Sequence, residues 1–468
     1  MRRAAPVCGL GIAAALFAAP QAWAHGLAAK EDLPIPAWLF TWGATSVLVI
    51  SFVALAVLWR EPKLEDAGER SIFPVPRVLE VVAGLIGVLV FVVTVYAGLE
   101  GVANPQANLV PTLVFVVFWV AVPILSLVVG DIFAAFNPWR AVGRLVGWVA
   151  ARSGRQVVHR PYPVRLGYWP AAITVLLFAW VELASADGED PRALAIMALV
   201  YATIQFVGMA FYGVRAWTEN GDGFAVYFRL FARLAPLQWH DGRAWRRRPA
   251  SAVTDVAPLS GLVALVTISI GTTSFDGLSQ GSTWRDIRGS LVESFQDLGT
   301  GGQTAAILAA TIGLIAMVAI IAGFYRLGVL GMRTVDPSRS PGELAGAFAH
   351  TLVPIAAAYV IAHYFSLLAY QGQALGYLAS DPLGRGDDFL GTASWMVDYG
   401  WISSNALWWI QVGALVIGHV VGLILAHDRA LRLFRDGAVA TRSQYWMLGV
   451  MVGFTSLALW LLSGGNVS

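Results

Sequence analysis

Ten stretches of this chain are apolar almost throughout, and that pattern leaves few folds open. They cover residues 36–59, 78–98, 109–130, 166–184, 193–213, 256–275, 304–325, 343–370, 402–426 and 445–463. As helix, about twenty residues rise ~30 Å, the thickness of a bilayer's hydrocarbon core. In that medium each backbone N–H and C=O must be satisfied within its own segment, so runs of this kind predict transmembrane helices. Composition agrees. Charged residues make up 13% of the chain, about half the share usual in a soluble domain. The 19 Trp and 48 Gly suit interfacial aromatic belts and close helix contacts. The expected fold is all-α, a polytopic membrane helix bundle forming one domain over residues 25–468 in contact with the lipid bilayer.

The basic residues set an orientation. Of 31 Lys and Arg, 24 fall in the loops after spans 1, 3, 5, 7 and 9, whereas the other side holds only Lys30, Arg192, Arg285, Arg288 and Arg385. By the positive-inside rule the first set is cytoplasmic, and both termini lie outside. Net charge of +2 therefore reflects topology and gives no reason to expect nucleic acid. Residues 1–24 read as a secretory signal peptide, with Arg2 and Arg3, an apolar stretch and Ala22-Trp23-Ala24 as cleavage site. Cys8, the only cysteine, would leave with it, taking disulfide and thiolate chemistry away.

Ionisable groups inside spans are costly and mark function by default. Span 8 carries two, His350 and His363, with Pro354 between them. Thirteen residues separate the histidines, ~20 Å along a helix and about 140° around it, so they belong to different sites. Pro354 offers no N–H to the His350 carbonyl, and the helix is expected to bend there. His419 in span 9 is antiparallel to His350 at a similar nominal depth. If those helices are neighbours, the two imidazoles can hold a haem b or a transition metal, or relay protons; no CxxCH motif accompanies them. Glu182, Gln205, Asn405 and Gln411 complete the polar groups within spans. His159 and His240 fall in cytoplasmic loops. Cleavage after Ala24 would expose His25 as an N-terminal amine–imidazole chelate suited to copper, with His363 or an outer Asp as a further ligand.

Two long cytoplasmic loops read as amphipathic interfacial helices. In FNPWRAVGRLVGWVAARSGR, Asn137 caps, Pro138 takes the first position, and Trp139, Val142, Val146 and Val149 share a face. In GDGFAVYFRLFARLAP, Asp222 caps, with Arg229 and Arg233 a turn apart. Both loops open on GD-x-FA, at Gly130–Ala134 and Gly221–Ala225, a hint of duplication. Outside, a helix is expected from about Thr283, capped by Ser282 or Thr283, with Ile287, Leu291, Phe295 and Leu298 on one face. The outer loops also collect Asp276, Asp297, Asp381, Asp387, Asp388 and Asp398, a composition that the charge bias alone produces.

No HExxH, HxH, G-x-S-x-G, P-loop or dinucleotide fingerprint occurs. The segments HGLAAKEDLPIPAWLF, SFVALAVLW, GDIFAAFNPWRAVGR, TSFDGLSQGSTW and HTLVPIAAAYVIAHYFSLL resemble a family of bacterial polytopic membrane proteins whose members often carry the label fenitrothion hydrolase. The resemblance covers nearly the whole chain beyond residue 24. It implies a bacterial inner-membrane protein that hydrolyses organophosphate triesters, and it assigns no catalytic residue. Such hydrolysis needs an activated water, usually metal-bound, and outer carboxylates with His25 or His363 are the candidate ligands. Two further classes stand beside it. One is a copper- or haem-linked membrane protein using His25 or the His350/His419 pair. The other is a permease for a small molecule or ion.

Overall fold

The structure is a computed structural model and describes residues 37–65, 67–154, 157–434 and 436–464. His25 and the expected signal peptide lie outside these. Most of the described residues are helical. Among the described residues seven helices are long and apolar enough to cross a membrane, so this is a multi-pass helical membrane protein. They are α2 (Arg77–Glu100), α3 (Leu109–Val129), α7 (Pro191–Tyr212), α10 (Leu262–Ser279), α12 (Gly302–Val335), the stretch Pro341–Leu378, and α15 (Ser404–Leu433). The remaining three expected spans coincide with the helices α1 (Ala37–Leu58), α6 (Trp169–Leu183) and α16 (Gly437–Gly464).

Two spans depart from plain α-helix, each for a local reason. Within α3, residues Thr112–Ala121 are π-helical. Pro111 and Pro123 flank them, and Pro123 has no N–H for the carbonyl a turn back, so the ladder is re-registered, with Val122 N–H reaching the Val117 carbonyl. The stretch Pro341–Leu378 breaks where Pro354 predicts. The helix α13 (Pro341–Phe348) passes through a tight 3₁₀ turn at Ala349–Leu352 before α14 (Val353–Gln371) begins, and the Val353 N–H takes up the His350 carbonyl.

Short helices gather at the arginine-rich end: α4 (Ile132–Phe136), α5 (Pro138–Arg152), α8 (Val214–Asn220) and α9 (Gly223–Ala232). Asn137 caps α5 by accepting from Arg140 N–H, with Pro138 at its first position. Leu145, Val146, Trp148 and Val149 stay exposed, as a lipid-facing helix requires. The interfacial reading of α9 is corrected. Of its ten residues only Arg229 is not buried, because Phe224, Tyr227, Phe228 and Phe231 spread apolar surface all round it, the pattern of an interior helix. Phe224 and Phe228 pack edge-on against Phe118 of α3.

The two GD-x-FA segments brace each other. Asp131 caps α4 and pairs with Arg229 of α9 at 3.1 Å. Asp222 caps α9 and, fully buried, accepts from Asn137 Nδ2, Trp139 Nε1 and the Tyr201 hydroxyl at 2.8, 2.6 and 2.8 Å.

A small antiparallel sheet also lies at this end, ordered β1 (Arg70–Pro74), β3 (Arg243–Arg246), β2 (Leu237–His240). At the opposite end the expected outer helix forms as α11 (Ser282–Asp297), but the cap expected from Ser282 or Thr283 is corrected, since both lie inside the helix. Gly281 occupies the cap position without side-chain help, and Trp284 is the buried anchor while Ile287 and Leu298 remain exposed.

Candidate functional site

The helix α10 is unusual for a membrane span because it is lined with hydroxyls. Ser269, Thr272 and Thr273 fall on one face at helical spacing, and the next position on that face is Asp276. The sequence reading ended this span at Phe275 and placed Asp276 in an outer loop. The structure corrects that: α10 continues to Ser279, and Asp276 is completely buried. Hydropathy falls at Phe275-Asp276, but the helix does not end where hydropathy does.

Asp276 Oδ2 lies 2.8 Å from His363 Nε2 of α14. The Tyr364 hydroxyl is within hydrogen-bonding reach of the same carboxylate, with the Trp119 indole beside it. Glu182, near the end of α6, is close enough to Asp276 for their charges to interact, and its Oε2 is buried without a hydrogen-bond partner among the described residues. A carboxylate, an imidazole and a phenol thus meet in the half of the bundle away from the arginine-rich end, with Glu182 near enough for its charge to be felt. Trp119 belongs to the π-helical segment of α3, and such segments recur at functional sites. Its ring stacks on Tyr227 at 5.2 Å, and the Tyr227 hydroxyl accepts from Ser269 at 3.2 Å. The polar path therefore runs from Asp276 along the α10 hydroxyls to Ser269 and Tyr227, toward the arginine-rich end. Thr272 and Thr273 donate to the Ser269 carbonyl, which leaves their oxygens able to accept.

The other sequence candidates separate. His350 and His419 are both buried, on helices in direct contact. A Cβ at Gly418 would sit 2.3 Å from the Ala358 Cβ and 2.7 Å from the Pro354 oxygen, and one at Gly422 would sit 2.9 Å from the Thr351 oxygen. In that register His419 is level with Ile355, and His350 lies about five residues nearer the arginine-rich end, ~8 Å away at helical rise. The equal depth expected from counting along separate spans is not what the packing produces. His419 Nδ1 is 2.7 Å from the Leu415 carbonyl, its ring is 6.3 Å from that of Tyr359, and among the described residues neither its Nε2 nor His350 Nε2 has a hydrogen-bond partner. Backbone contact between the two levels leaves no slot for a porphyrin, so the residues present do not fit a haem bridging this pair.

The outer carboxylates serve turns. Asp381 accepts from Arg385 and Gly386 N–H, Asp388 from the Ser380 hydroxyl and Ala393 N–H, and Asp398 from Gly400 N–H. Hydrogen bonds from Ser380 and Ala393 hold the Asp388 carboxyl below the usual range. His427 Nε2 meets the Trp59 carbonyl at 3.0 Å, and Asp428 gathers Trp59 Nε1 and the Lys63, Leu64 and Glu65 amides, which ties the chain after α1 to α15. Among the described residues no group of three or more His, Cys, Asp or Glu side chains is arranged to hold a metal ion.

No protein-family model, curated protein or solved structure matches this chain. The functional reading therefore rests on the site itself. Sequence reasoning had Glu182 and His363 as intramembrane groups, counted Asp276 only among the outer-loop carboxylates, and missed Tyr364, Trp119 and Tyr227. The available signal was the hydroxyl stripe at positions 269, 272, 273 and 276, which keeps helical period past the hydropathy boundary.

Proposed function

We propose that this protein is a permease that couples passage of a small cation or polar solute to proton exchange at Asp276 and His363. The observation that carries this reading is the buried 2.8 Å contact between the two, with Glu182 beside it. Carboxylates and an imidazole brought together out of water exchange protons as a unit, and chains of such groups in membrane spans are the usual substance of proton relays. The α10 hydroxyls and Tyr227 supply a polar route toward one face, and the turn at Ala349–Leu352 is the broken-helix feature typical of carriers. In this reading the protein has ten spans in a bacterial inner membrane, with the arginine-rich end cytoplasmic.

Purified protein in vesicles loaded with a pH-sensitive dye tests it. Among pulses of alkali-metal salts, divalent-cation salts and neutral polar solutes at constant ionic strength and osmolarity, at least one should move protons, with D276N abolishing the response and H363Q weakening it. Wild-type protein that behaves as empty vesicles for every pulse would overturn the proposal.

A second reading has one observation in its favour. A carboxylate-oriented imidazole is also the arrangement of a general base, which suits the phosphotriester hydrolysis implied by the family resemblance. It requires wild type to turn over a fenitrothion-type triester and H363Q to lose that turnover. A copper role for His25 rests on residues outside those described and keeps its own test, copper titration of wild type against His25→Ala.

A further inference from the structure

The three-stranded sheet carries an electrostatic conflict. In its register Arg70 of β1 stands directly opposite Arg246 of β3, which in turn opposes Leu237 of β2. Like charges facing each other across a ladder destabilise it, by a few tenths of a kcal/mol up to about 1. Neither guanidinium makes a hydrogen bond or ion pair among the described residues, and both residues are exposed. The nearby carboxylates are already engaged, Glu69 with His240 at 3.2 Å and Asp255 with Arg247 at 2.5 Å. Arg70 and Arg246 line an open cleft of about 580 Å³ together with Arg247 and Arg248. A concave site with two uncompensated guanidiniums is built for an anion with several acceptor oxygens, and phosphate matches that fork geometry.

What lies on the same face says how the phosphate arrives. Strand alternation puts Trp239 on the face of Arg246, and the bulge between Ser71 and Phe73 brings Phe73 opposite Ala244 onto that same face with Arg70. Their rings meet edge-on at 6.1 Å, and the Trp239 indole donates to the Val129 carbonyl at the end of α3. Ile72, Phe73 and Trp239 remain 46%, 48% and 41% exposed. An apolar apron at the end of a membrane span, next to paired arginines, is the arrangement that meets lipid at its headgroup level.

We propose that Arg70 and Arg246, with Arg248 at the rim, form a binding site for the phosphate of an anionic lipid headgroup. The lipid neutralises the cross-strand repulsion, and its glycerol and first methylenes cover Ile72, Phe73 and Trp239. This holds whether or not the bundle is a permease.

Thermal unfolding of the full chain in neutral detergent tests it, with short-chain phosphatidylglycerol, short-chain phosphatidylcholine and inorganic phosphate as probes. Phosphatidylglycerol should raise Tm by a few degrees and the other two should not. R70Q/R246Q should lose that gain, while R442Q, an exposed arginine elsewhere at the same end, should keep it. Without lipid, R246Q should unfold no lower than wild type, because it removes the repulsion; this separates a lost site from a damaged fold. An equal gain in R70Q/R246Q, or no gain in wild type, overturns the proposal. A matching gain from inorganic phosphate overturns the headgroup assignment.

Discussion

Asp222 shows how a buried carboxylate can be purely structural. It accepts hydrogen bonds from Asn137, Trp139, Tyr201 and the Ala225 amide, so its lone pairs are filled and none faces a cavity. Asp276 differs in that its neighbours are themselves titratable. The contrast yields a stability expectation. Asp222→Ala orphans the buried Asn137 and Trp139 donors, at roughly 1–3 kcal/mol each, and the partly buried Tyr201 hydroxyl, and thermal unfolding should show a loss of at least about 2 kcal/mol; a loss under about 1 would contradict the bracing role. His240 gives a pH expectation outside the membrane. Partial burial works against its charged form, but hydrogen bonds to Asp241 and Glu69 outweigh this and raise its pKa from 6.5. A raised histidine contributes fully below its unfolded value, and the contribution disappears as pH rises through the folded value. The Tm advantage of wild type over H240Q should therefore be present near pH 6 and vanish in alkaline buffer. A difference that does not change with pH would contradict it.

At the scale of elements, the sequence was most legible where one chemical fact decides the structure. Pro354 dictates the break before α14, and Asn137-Pro138 dictates the start of α5; both occur as read. It was least legible where packing decides. The apolar circumference of α9 was read as one face of an interfacial helix, because sequence alone does not say how many neighbours a helix has. The relative shift of α14 and α15 is likewise set by Gly418 and Gly422 docking on the backbone of Pro354 and Thr351, which counting residues from span ends does not capture. That register is open to cross-linking in a Cys8→Ser background. H350C/H419C should not form a disulfide with a zero-length oxidant, and Gly418→Leu should lower Tm by several degrees, because a side chain there overlaps Ala358 and the Pro354 backbone. The reverse pattern would restore the facing-imidazole arrangement and contradict this packing.

Over the whole molecule, apolar length and the distribution of arginine made a helical membrane bundle readable from the chain alone, since a bilayer admits few other folds. The site was only half readable. Glu182 and His363 are conspicuous within apolar runs, whereas Asp276 sits at a hydropathy edge and gains its meaning from α6 and α14, distant in sequence. The proposed topology has a direct check: reporter fusions after Gly213 and after Ala426 should behave as cytoplasmic, and a periplasmic signal from either would contradict ten spans. The central claim, that Asp276 and His363 exchange a proton inside the bundle, is tested most directly by infrared difference spectroscopy of the purified protein through a pH titration. The prediction is a carbonyl band of a protonated carboxylic acid that appears and disappears with pH, is absent in D276N, and shifts its midpoint in H363Q. A spectrum with no titrating carboxylic acid, or one unchanged in D276N, would contradict it.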